Sequence, residues 1–408
     1  MMPVTDLPSW IEQHARAGTV WLVKRLAGND TLATGAHQAG PYLPRNLVFE
    51  LFPAVNRIET KNPDTAVDLY IDSHVDHREA RIVWYNNKFH DGTRNETRMT
   101  QLGGQASALL NPDSTGSVAA LVFVLDNAGH AASCHAWVCD NSIEEDVFED
   151  RFGPIEPKTF TVWRPGLVPE VAQVAAAAPC RLTREQLPPA WLQAFPTGEE
   201  IIAKTREMRP DATQPVDDRL ILRRECEFEI FKSVEEAIYL PRMSEGFTTI
   251  DGFISLAQTI LQSRKSRSGT SLELHVRNIM MEEHFVQNTD FSFRPVIEGN
   301  KRPDFLFPSV AAYNDASFPR ERLRMLAAKT TCKDRWRQIL PEANAIPVKH
   351  LLTLQEGVSE NQFKEMLDAG VRLVVPSKLH KRYPKDIRQE LITFESFIAE
   401  VRLQNSGG

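Results

Sequence analysis

Between Pro169 and Pro179 the chain reads PEVAQVAAAAP, and no other stretch constrains the fold as much. Small residues bracketed by prolines cannot build a core, so the segment suits a linker or a weak helix. The hydrophobic pattern also changes across it. We therefore place a boundary near 170–182, with residues 1–169 as an N-terminal domain, 170–181 as linker and 182–408 as a C-terminal domain. A chain of 408 residues has room for two or three domains, because single cores rarely grow past about 250–300 residues.

Before the boundary the apolar runs are short, β-branched and aromatic: TVWLVKRL from Thr19, AVDLYIDSHV from Ala66, ARIVWYNNKF from Ala80 and AALVFVLDN from Ala119. Gly, Asn, Asp and Pro separate them. This spacing predicts a mainly-β barrel or sandwich with few helices. After the boundary the pattern is mixed. Residues 223–239 read as a helix, as do 271–284, where Leu272, Val276, Ile279 and Met280 share one face. DFLF from Asp304 and RMLAAKTT from Arg324 read as strands. HLLTLQ from His350 is a further strand. Ser359 to Gln362 is a capping box opening a helix that ends near Gly370, and VRLVVP follows as a strand. Strand, helix and strand at this spacing make a βαβ unit, so part of the sheet is expected to be parallel.

Composition excludes several classes. No apolar run is long enough to cross a membrane, and the N-terminus carries acids where a secretory signal has an apolar core. A cytoplasmic protein with no membrane partner is expected. The five cysteines (Cys134, Cys139, Cys180, Cys226 and Cys332) are scattered and odd in number, which argues against a disulfide framework or a four-thiolate zinc site. Cys134 and Cys139 with His130 and His135 are metal-ligating types, but the local pattern reads as two strands around a turn. Formal net charge is −7, which alone argues mildly against nucleic acid. DNA responds to local patches, however. Acids gather between Asp140 and Asp150. Residues 320–337 hold seven Lys/Arg against Glu321 and Asp334, and 378–388 is similarly basic. Each basic cluster taken alone reads at least as well as a solvated face.

Asp304 and Lys329 carry the strongest chemical suggestion. Two adjacent strands can bring a carboxylate and an ammonium to one sheet edge. Phosphodiester hydrolysis needs a divalent ion, an activated water and positive charge on the transition-state oxygens. Magnesium takes oxygen ligands, with one or two carboxylates among them. This is the logic of the PD-(D/E)xK nuclease fold. Its second acid normally lies two residues before the lysine, where this chain has Ala327. Glu342 and Glu273 are the candidate replacements. On spacing alone, surface ion pairs explain these residues better. Lys333, Asp334 and Arg335 could read G·C edges in the major groove, or could be an ordinary helix start.

Longer segments decide the matter. EGNKRPDFLFP from Glu298, RMLAAKTTCKDRWRQIL from Arg324, RKSRSGTSLELH from Arg264, LLTLQEGVSENQ from Leu351 and VRLVVPSKLHKRYP from Val371 closely resemble the EcoRII family of restriction endonucleases. In the N-terminal half, VKRLAGNDTLATGAHQAGPYLP from Val23 and TRNETR from Thr93 resemble it too. The resemblance spans nearly the whole chain and is weakest around the linker. It implies an N-terminal, mainly-β, B3-like DNA-binding pseudobarrel and a C-terminal α/β domain of the restriction-endonuclease type. It also implies magnesium-dependent double-strand cleavage at 5′-CCWGG, before the first cytosine. The N-terminal domain would bind a second copy of the site as allosteric effector, and until then would restrain cleavage. A homodimer is implied, with a cytosine methyltransferase as functional rather than bound partner.

By position, the resemblance makes Asp304, Lys329 and Glu342 the catalytic acid, the lysine and the relocated second acid, with Asp304 and Glu342 holding the metal. Glu273 becomes a further active-site glutamate and Tyr313 a tyrosine beside the site. Lys333, Asp334 and Arg335 match the element that reads the outer G·C pairs. Arg224 matches a residue implicated in holding a flipped base, and Phe228 either supports that pocket or is a core aromatic. In the N-terminal domain His37, Tyr42, Arg94, Glu96 and Arg98 lie in the DNA-contact segments. Arg94, Glu96 and Arg98 alternate, so on an extended arm they share a face. The family pattern has lysines where this chain has Gly92 and Thr97, which bears on effector affinity. Three rival readings stand beside this one: a DNA-binding regulator with an inactive nuclease domain, a repair or nicking nuclease on the same fold, and a nuclease of divergent site specificity.

Overall fold

The computed structural model describes residues 6–35, 40–166, 170–173, 180–210 and 213–406. The chain forms two compact units. The first comprises residues 1–174 with 355–365 and 381–389; the second comprises 175–354, 366–380 and 390–408.

The first unit is built on a nine-stranded sheet. Its strands are β1 (Thr19–Arg25), β2 (Tyr42–Leu43), β3 (Asp64–Ile71), β4 (Asp76–Tyr85), β5 (Glu96–Thr100), β6 (Val118–Leu125), β7 (Ala131–Val138), β8 (Thr159–Trp163) and β9 (Glu170–Gln173). Their spatial order is β2-β5-β4-β3-β7-β6-β1-β8-β9. Every pairing is antiparallel except β3 with β7. Strand β1 shows why the sheet is covered on both sides. All seven of its residues are buried. Alternation sends Val20 and Leu22 into one core, against Leu47, Leu51 and Phe52. It sends Trp21 and Val23 into another, against Trp10, Phe148, Phe152 and Trp163. The covering helices are α1 (Leu7–His14), α2 (Arg45–Leu51) and α3 (Ser142–Phe152).

Helix α3 accounts for the acidic run. Asn141 caps it, and acids in its first turn complement the helix dipole. Glu145 and Glu149 then meet the buried guanidinium of Arg25 at 2.7 and 2.9 Å. Two segments from the C-terminal half complete this unit. The Gly28 N–H donates to the Glu356 carbonyl at 2.6 Å, and a Cβ at Gly28 would lie 2.0 Å from the Arg382 carbonyl oxygen.

The second unit holds helices α4 (Pro189–Gln193), α5 (Gly198–Met208), α6 (Val216–Ser244), α7 (Ile250–Glu282) and α8 (Val310–Asn314). Helix α9 (Glu360–Asp368) starts in the first unit and ends in the second, where α10 (Phe394–Ser406) follows. Its sheet is β10 (Ser292–Phe293), β11 (Phe305–Phe307), β12 (Arg324–Lys329), β13 (Lys349–Thr353) and β14 (Val371–Val374), in that spatial order. The first three strands pair antiparallel and the last three parallel. The parallel β13–α9–β14 crossover is the expected βαβ unit, and Ser359 Oγ accepts the Gln362 N–H at its start. Leu272, Val276, Ile279 and Met280 of α7 pack with Phe305, Phe307, Leu326 and Leu352 of the sheet and with Phe394 and Phe397 of α10.

The architecture is the expected one: a mainly-β N-terminal pseudobarrel and a mixed α/β C-terminal region. Details differ. Helices α6 and α7 are much longer than the periodicity predicts. Residues 250–270 of α7 are exposed or half-buried, with Leu256 and Ile260 packing only partly against the core around Ile230 and Phe231, and α6 runs through Pro241 to Ser244. Residues 170–173, expected as linker, form edge strand β9, while 174–179 lie outside the described residues. Cys180 is cross-linked to Cys226, a pair that scattered cysteines did not suggest; α6 carries Cys226 to where the incoming chain packs. Cys134, Cys139 and Cys332 are buried and form no disulfide, and β6 and β7 make the expected hairpin.

Candidate active site

Strand pairing sets the site. Phe305 faces Leu326 across the antiparallel β11–β12 ladder, so the residue before β11, Asp304, falls beside the end of β12. Its carboxylate accepts the Ala328 N–H at 2.8 Å and takes Lys329 Nζ at 2.9 and 3.2 Å. Ala327 is fully buried, so the position of the usual second acid is part of the packed sheet.

Two other carboxylates approach. Glu273 of α7 is buried and accepts Arg294 Nε at 2.6 Å. Burial and the Asp304 charge push its carboxyl above the usual range, against the pull of Arg294. Glu342 is half-buried, and burial followed by the Asp304 charge pushes its carboxyl up to about 7, against Lys329 and Lys349. Glu273 and Glu342, both raised beside the Asp304 charge, have too little positive charge around them. Lys329 and Arg294 supply part of it, and the arrangement fits a divalent cation in both donor type and electrostatics.

The loop bearing Glu342 is held from several sides. Tyr313 Oη donates to Glu298 Oε1 at 2.8 Å and accepts the Ala345 N–H at 3.2 Å. The same Glu298 oxygen accepts the Asn344 N–H at 2.8 Å. Burial would raise the Glu298 carboxyl, but these hydrogen bonds hold it below the usual range. Lys349 Nζ donates to the Ala343 and Ile346 carbonyls, and Lys301 Nζ to that of Pro341. Tyr313 thus acts on the site through the loop. Glu298, Lys301 and Lys349 were not singled out from the sequence. Their part lies in contacts across the fold, which no local spacing reveals.

Lys333, Asp334 and Arg335 follow Lys329 after three intervening residues. Lys333 is buried; Asp334 and Arg335 are half-buried at the start of a 3-10 turn, and Asp334 pairs with Arg337 at 3.4 Å. On α6, Arg224 is buried and donates to Ser271 Oγ at 2.8 Å and to Glu227. Arg267 lies over the Phe228 ring at 4.9 Å and binds Glu227 at 2.9 Å. Arg224 and Phe228 therefore sit in one interlocked cluster.

In the first unit, Glu96 is gripped by Arg94 Nε at 2.6 Å and by an Arg98 nitrogen at 3.2 Å, so the three residues do share a face. Arg94 lies over the Tyr85 ring at 3.7 Å. Arg98 is only 4% exposed, and its donors go to the Gly40 and Asn29 carbonyls as well as to Glu96. It buttresses Glu96 from within. The half-buried Tyr42 is anchored through its N–H to Asp30 at 2.9 Å. Thr97 is buried, with its hydroxyl donating to the Leu43 carbonyl at 2.6 Å. His37 lies outside the described residues.

A nuclease of the restriction class accounts for this fold and this acid–lysine pair together, and comparison with known proteins gives the family. Residues 231–398 match the family described as EcoRII C terminal, and residues 15–166 that described as Restriction endonuclease EcoRII, N-terminal. Type II restriction enzyme EcoRII of Escherichia coli is 42% identical over 395 residues, which is 96% of each chain. The chain belongs to the EcoRII family of type II restriction enzymes: it is a DNA-binding, site-specific deoxyribonuclease. Type II restriction enzyme SsoII of Shigella sonnei is 26% identical over 149 residues, covering 35% of this chain and 48% of that one. Among solved structures, metal-depleted Ecl18kI in complex with uncleaved, modified DNA matches with a TM-score of 0.44 and 20% identity, over 52% of this chain and 80% of that one. The UbaLAI restriction endonuclease B3 domain with cognate DNA matches with a TM-score of 0.28 and 19% identity, over 40% of this chain and 98% of that one. No helix among the described residues is long and apolar enough to cross a membrane.

Proposed function

We propose that the enzyme cuts both strands of DNA at 5′-CCWGG, before the first cytosine, using magnesium held by Asp304 and Glu342. The observation that carries the reading is the charge state of the site: Asp304 bonded to Lys329, with Glu342 pushed up to about 7 beside it. Magnesium supplies a Lewis acid for the phosphate and lowers the pKa of a water. Lys329 moves from Asp304 toward the phosphate, orients the attacking water and stabilises charge on the phosphoryl oxygens. Glu273, steadied by Arg294, takes hydrogen bonds from water at the site. Tyr313 and Glu298 keep Glu342 in place. In-line attack leaves a 3′-hydroxyl and a 5′-phosphate.

Lys333, Asp334 and Arg335 read the outer G·C pairs, while Arg224 and Phe228 line a pocket for a flipped central base. Residues 1–169 form the effector domain, 170–181 the connection and 182–408 the catalytic domain. Arg94, Glu96 and Tyr42, with His37, contact a second DNA copy, and Arg98 supports Glu96. Effector binding relieves restraint on cleavage. In support, residues 355–365 and 381–389 belong to the first compact unit yet follow nuclease strands β13 and β14 after one and six intervening residues along the chain, so a change in that unit has a covalent route to the sheet. The active species is a cytoplasmic homodimer, and a cytosine methyltransferase protects host sites.

The test is cleavage of a plasmid bearing several CCWGG sites, with magnesium and with EDTA, followed by sequencing of the ends. Magnesium-dependent cuts before the first cytosine are expected, and Lys329→Ala should abolish them while leaving specific binding. Discrete cuts elsewhere would replace the specificity. Failure to cut even with a short CCWGG duplex added as effector would refute the reading.

A further inference from the structure

Far from the nuclease residues in sequence, three side chains of the first unit converge. His14 ends α1, Asp72 begins the turn after β3, and His135 lies in the middle of β7. The parallel β3–β7 register sets Tyr70 opposite His135, which brings Asp72, two residues on, to the same edge. One ligand atom from each of the three lies within 4.8 Å of the other two. His135 Nδ1 is 2.9 Å from Asp72 Oδ2, and His14 Nε2 is 3.7 Å from the same oxygen.

Ordinary hydrogen bonding explains only part of this. Asp72 accepts Trp10 Nε1 at 2.6 Å and is matched with His135. His14 is the misfit. It is 2% exposed, its Nδ1 has no hydrogen-bond partner, and its Nε2 points at the carboxylate from beyond hydrogen-bonding reach. Buried polar atoms rarely go unsatisfied without a reason. Burial, and then the neighbouring His135, push the His14 imidazole down to about 4 against the pull of Asp72. Neutral imidazole is the form that binds metal.

We propose that His14, Asp72 and His135 form a binding site for one first-row divalent transition-metal ion, zinc being the best match. Tetrahedral coordination with bonds of about 2.0–2.2 Å separates ligand atoms by about 3.4 Å. The observed 2.9 and 3.7 Å to Asp72 bracket that value, and the two imidazole ligand atoms lie within 4.8 Å of each other. Two imidazoles with one carboxylate suit zinc and disfavour magnesium, which takes oxygen ligands in octahedral array. Part of the outer shell is already in place. Trp10 Nε1 fixes the carboxylate, and Tyr70 stacks on His135 at 4.9 Å and 14°, setting the ring's orientation. Three protein ligands leave a fourth position for water. The ion's role is a clip: it ties α1 and the β3–β4 turn to the sheet, closing chain separations of 58 and 63 residues (72 − 14 and 135 − 72 from the residue numbers).

The experiment is zinc uptake by the EDTA-stripped full chain, measured by equilibrium dialysis against zinc chloride at neutral pH with excess magnesium. Glu342→Gln serves as a parallel background, so that zinc held by the nuclease carboxylates is counted separately. One equivalent is expected in the Glu342→Gln protein. It should weaken at least tenfold when Asp72→Asn or His135→Gln is added, and the wild-type first unit should melt higher with zinc than without. Both substitutions are at half-buried positions and keep size and polarity, and circular dichroism checks their folding. Absence of tightly bound zinc in the Glu342→Gln protein, or equal uptake with and without Asp72→Asn, overturns the proposal.

Discussion

The charge state of Glu342 gives the sharpest handle on the nuclease site. A carboxyl pushed up to about 7 must shed a proton before it can hold a cation. About one molecule in ten is ionised at pH 6, about half at pH 7 and about nine in ten at pH 8. Below the pKa the apparent magnesium affinity should therefore fall about tenfold per pH unit, ~1.4 kcal/mol. An ordinary carboxyl near 4.3 would give a flat response over that range. The linkage to folding has a definite sign. The raised pKa favours the metal-free fold below the ordinary carboxyl range, and that contribution is lost as pH rises through about 7. The assay is single-turnover cleavage with magnesium titrated at pH 6, 7 and 8, reading the half-saturating concentration rather than the rate. Hydroxide effects on chemistry move the rate, whereas ligand protonation moves the half-saturation. Glu342→Gln should need more magnesium and lose the slope. A half-saturation unchanged between pH 6 and 7 in the wild type would refute the reasoning.

Three further outcomes follow from particular contacts. Tyr313→Phe removes the hydroxyl shared between Glu298 and the Ala345 N–H; cleavage should slow about tenfold or more with little change in DNA binding, because losing one buried hydrogen bond costs about 1–3 kcal/mol and the loop carries Glu342. Arg25→Met strands Glu145 and Glu149 without their cation, and should lower the melting temperature of the first unit, with a cost of about 3–5 kcal/mol for breaking a buried pair. Gly28→Ala sets a methyl 2.0 Å from the Arg382 carbonyl oxygen, so the backbone must part there; limited proteolysis should cut within 381–389 faster than in the wild type, and an unchanged digestion pattern would count against that packing.

The parts of this protein readable from the chain are those where physics acts locally. Short β-branched and aromatic runs marked β1, β4 and β6, and the capping box at Ser359 announced the crossover helix. The first part of α7 went unread because residues 250–270 are only partly buried, with Leu256 and Ile260 packing at the margin of a core. The site was half legible. Asp304 and Lys329 were visible as an acid and a base on neighbouring strands, yet only the resemblance of long segments separated them from an ordinary ion pair. Glu298 and Lys349 gave no signal, since each acts by holding a loop that only tertiary folding brings near. The same holds for His14 and Asp72, and for Cys180 with Cys226; His135 was visible as a metal-ligating type, but its sequence neighbours Cys134, Cys139 and His130 are not the residues whose ligand atoms the fold gathers around it, which are His14 and Asp72. Arg98 shows the converse limit: its alternation with Glu96 was right, but alternation does not tell which arginine is buried.

The mutual repulsion of Asp304, Glu273 and Glu342 has an evolutionary side. A cluster that resists ionisation works against folding, so substitution of Glu342 by a neutral residue should make the metal-free chain sturdier while disabling it. Drift toward stability and selection for cutting therefore pull this position in opposite directions. A copy of the gene released from its duty would be expected to lose the charge at Glu342 early, with the rest of the molecule still well folded.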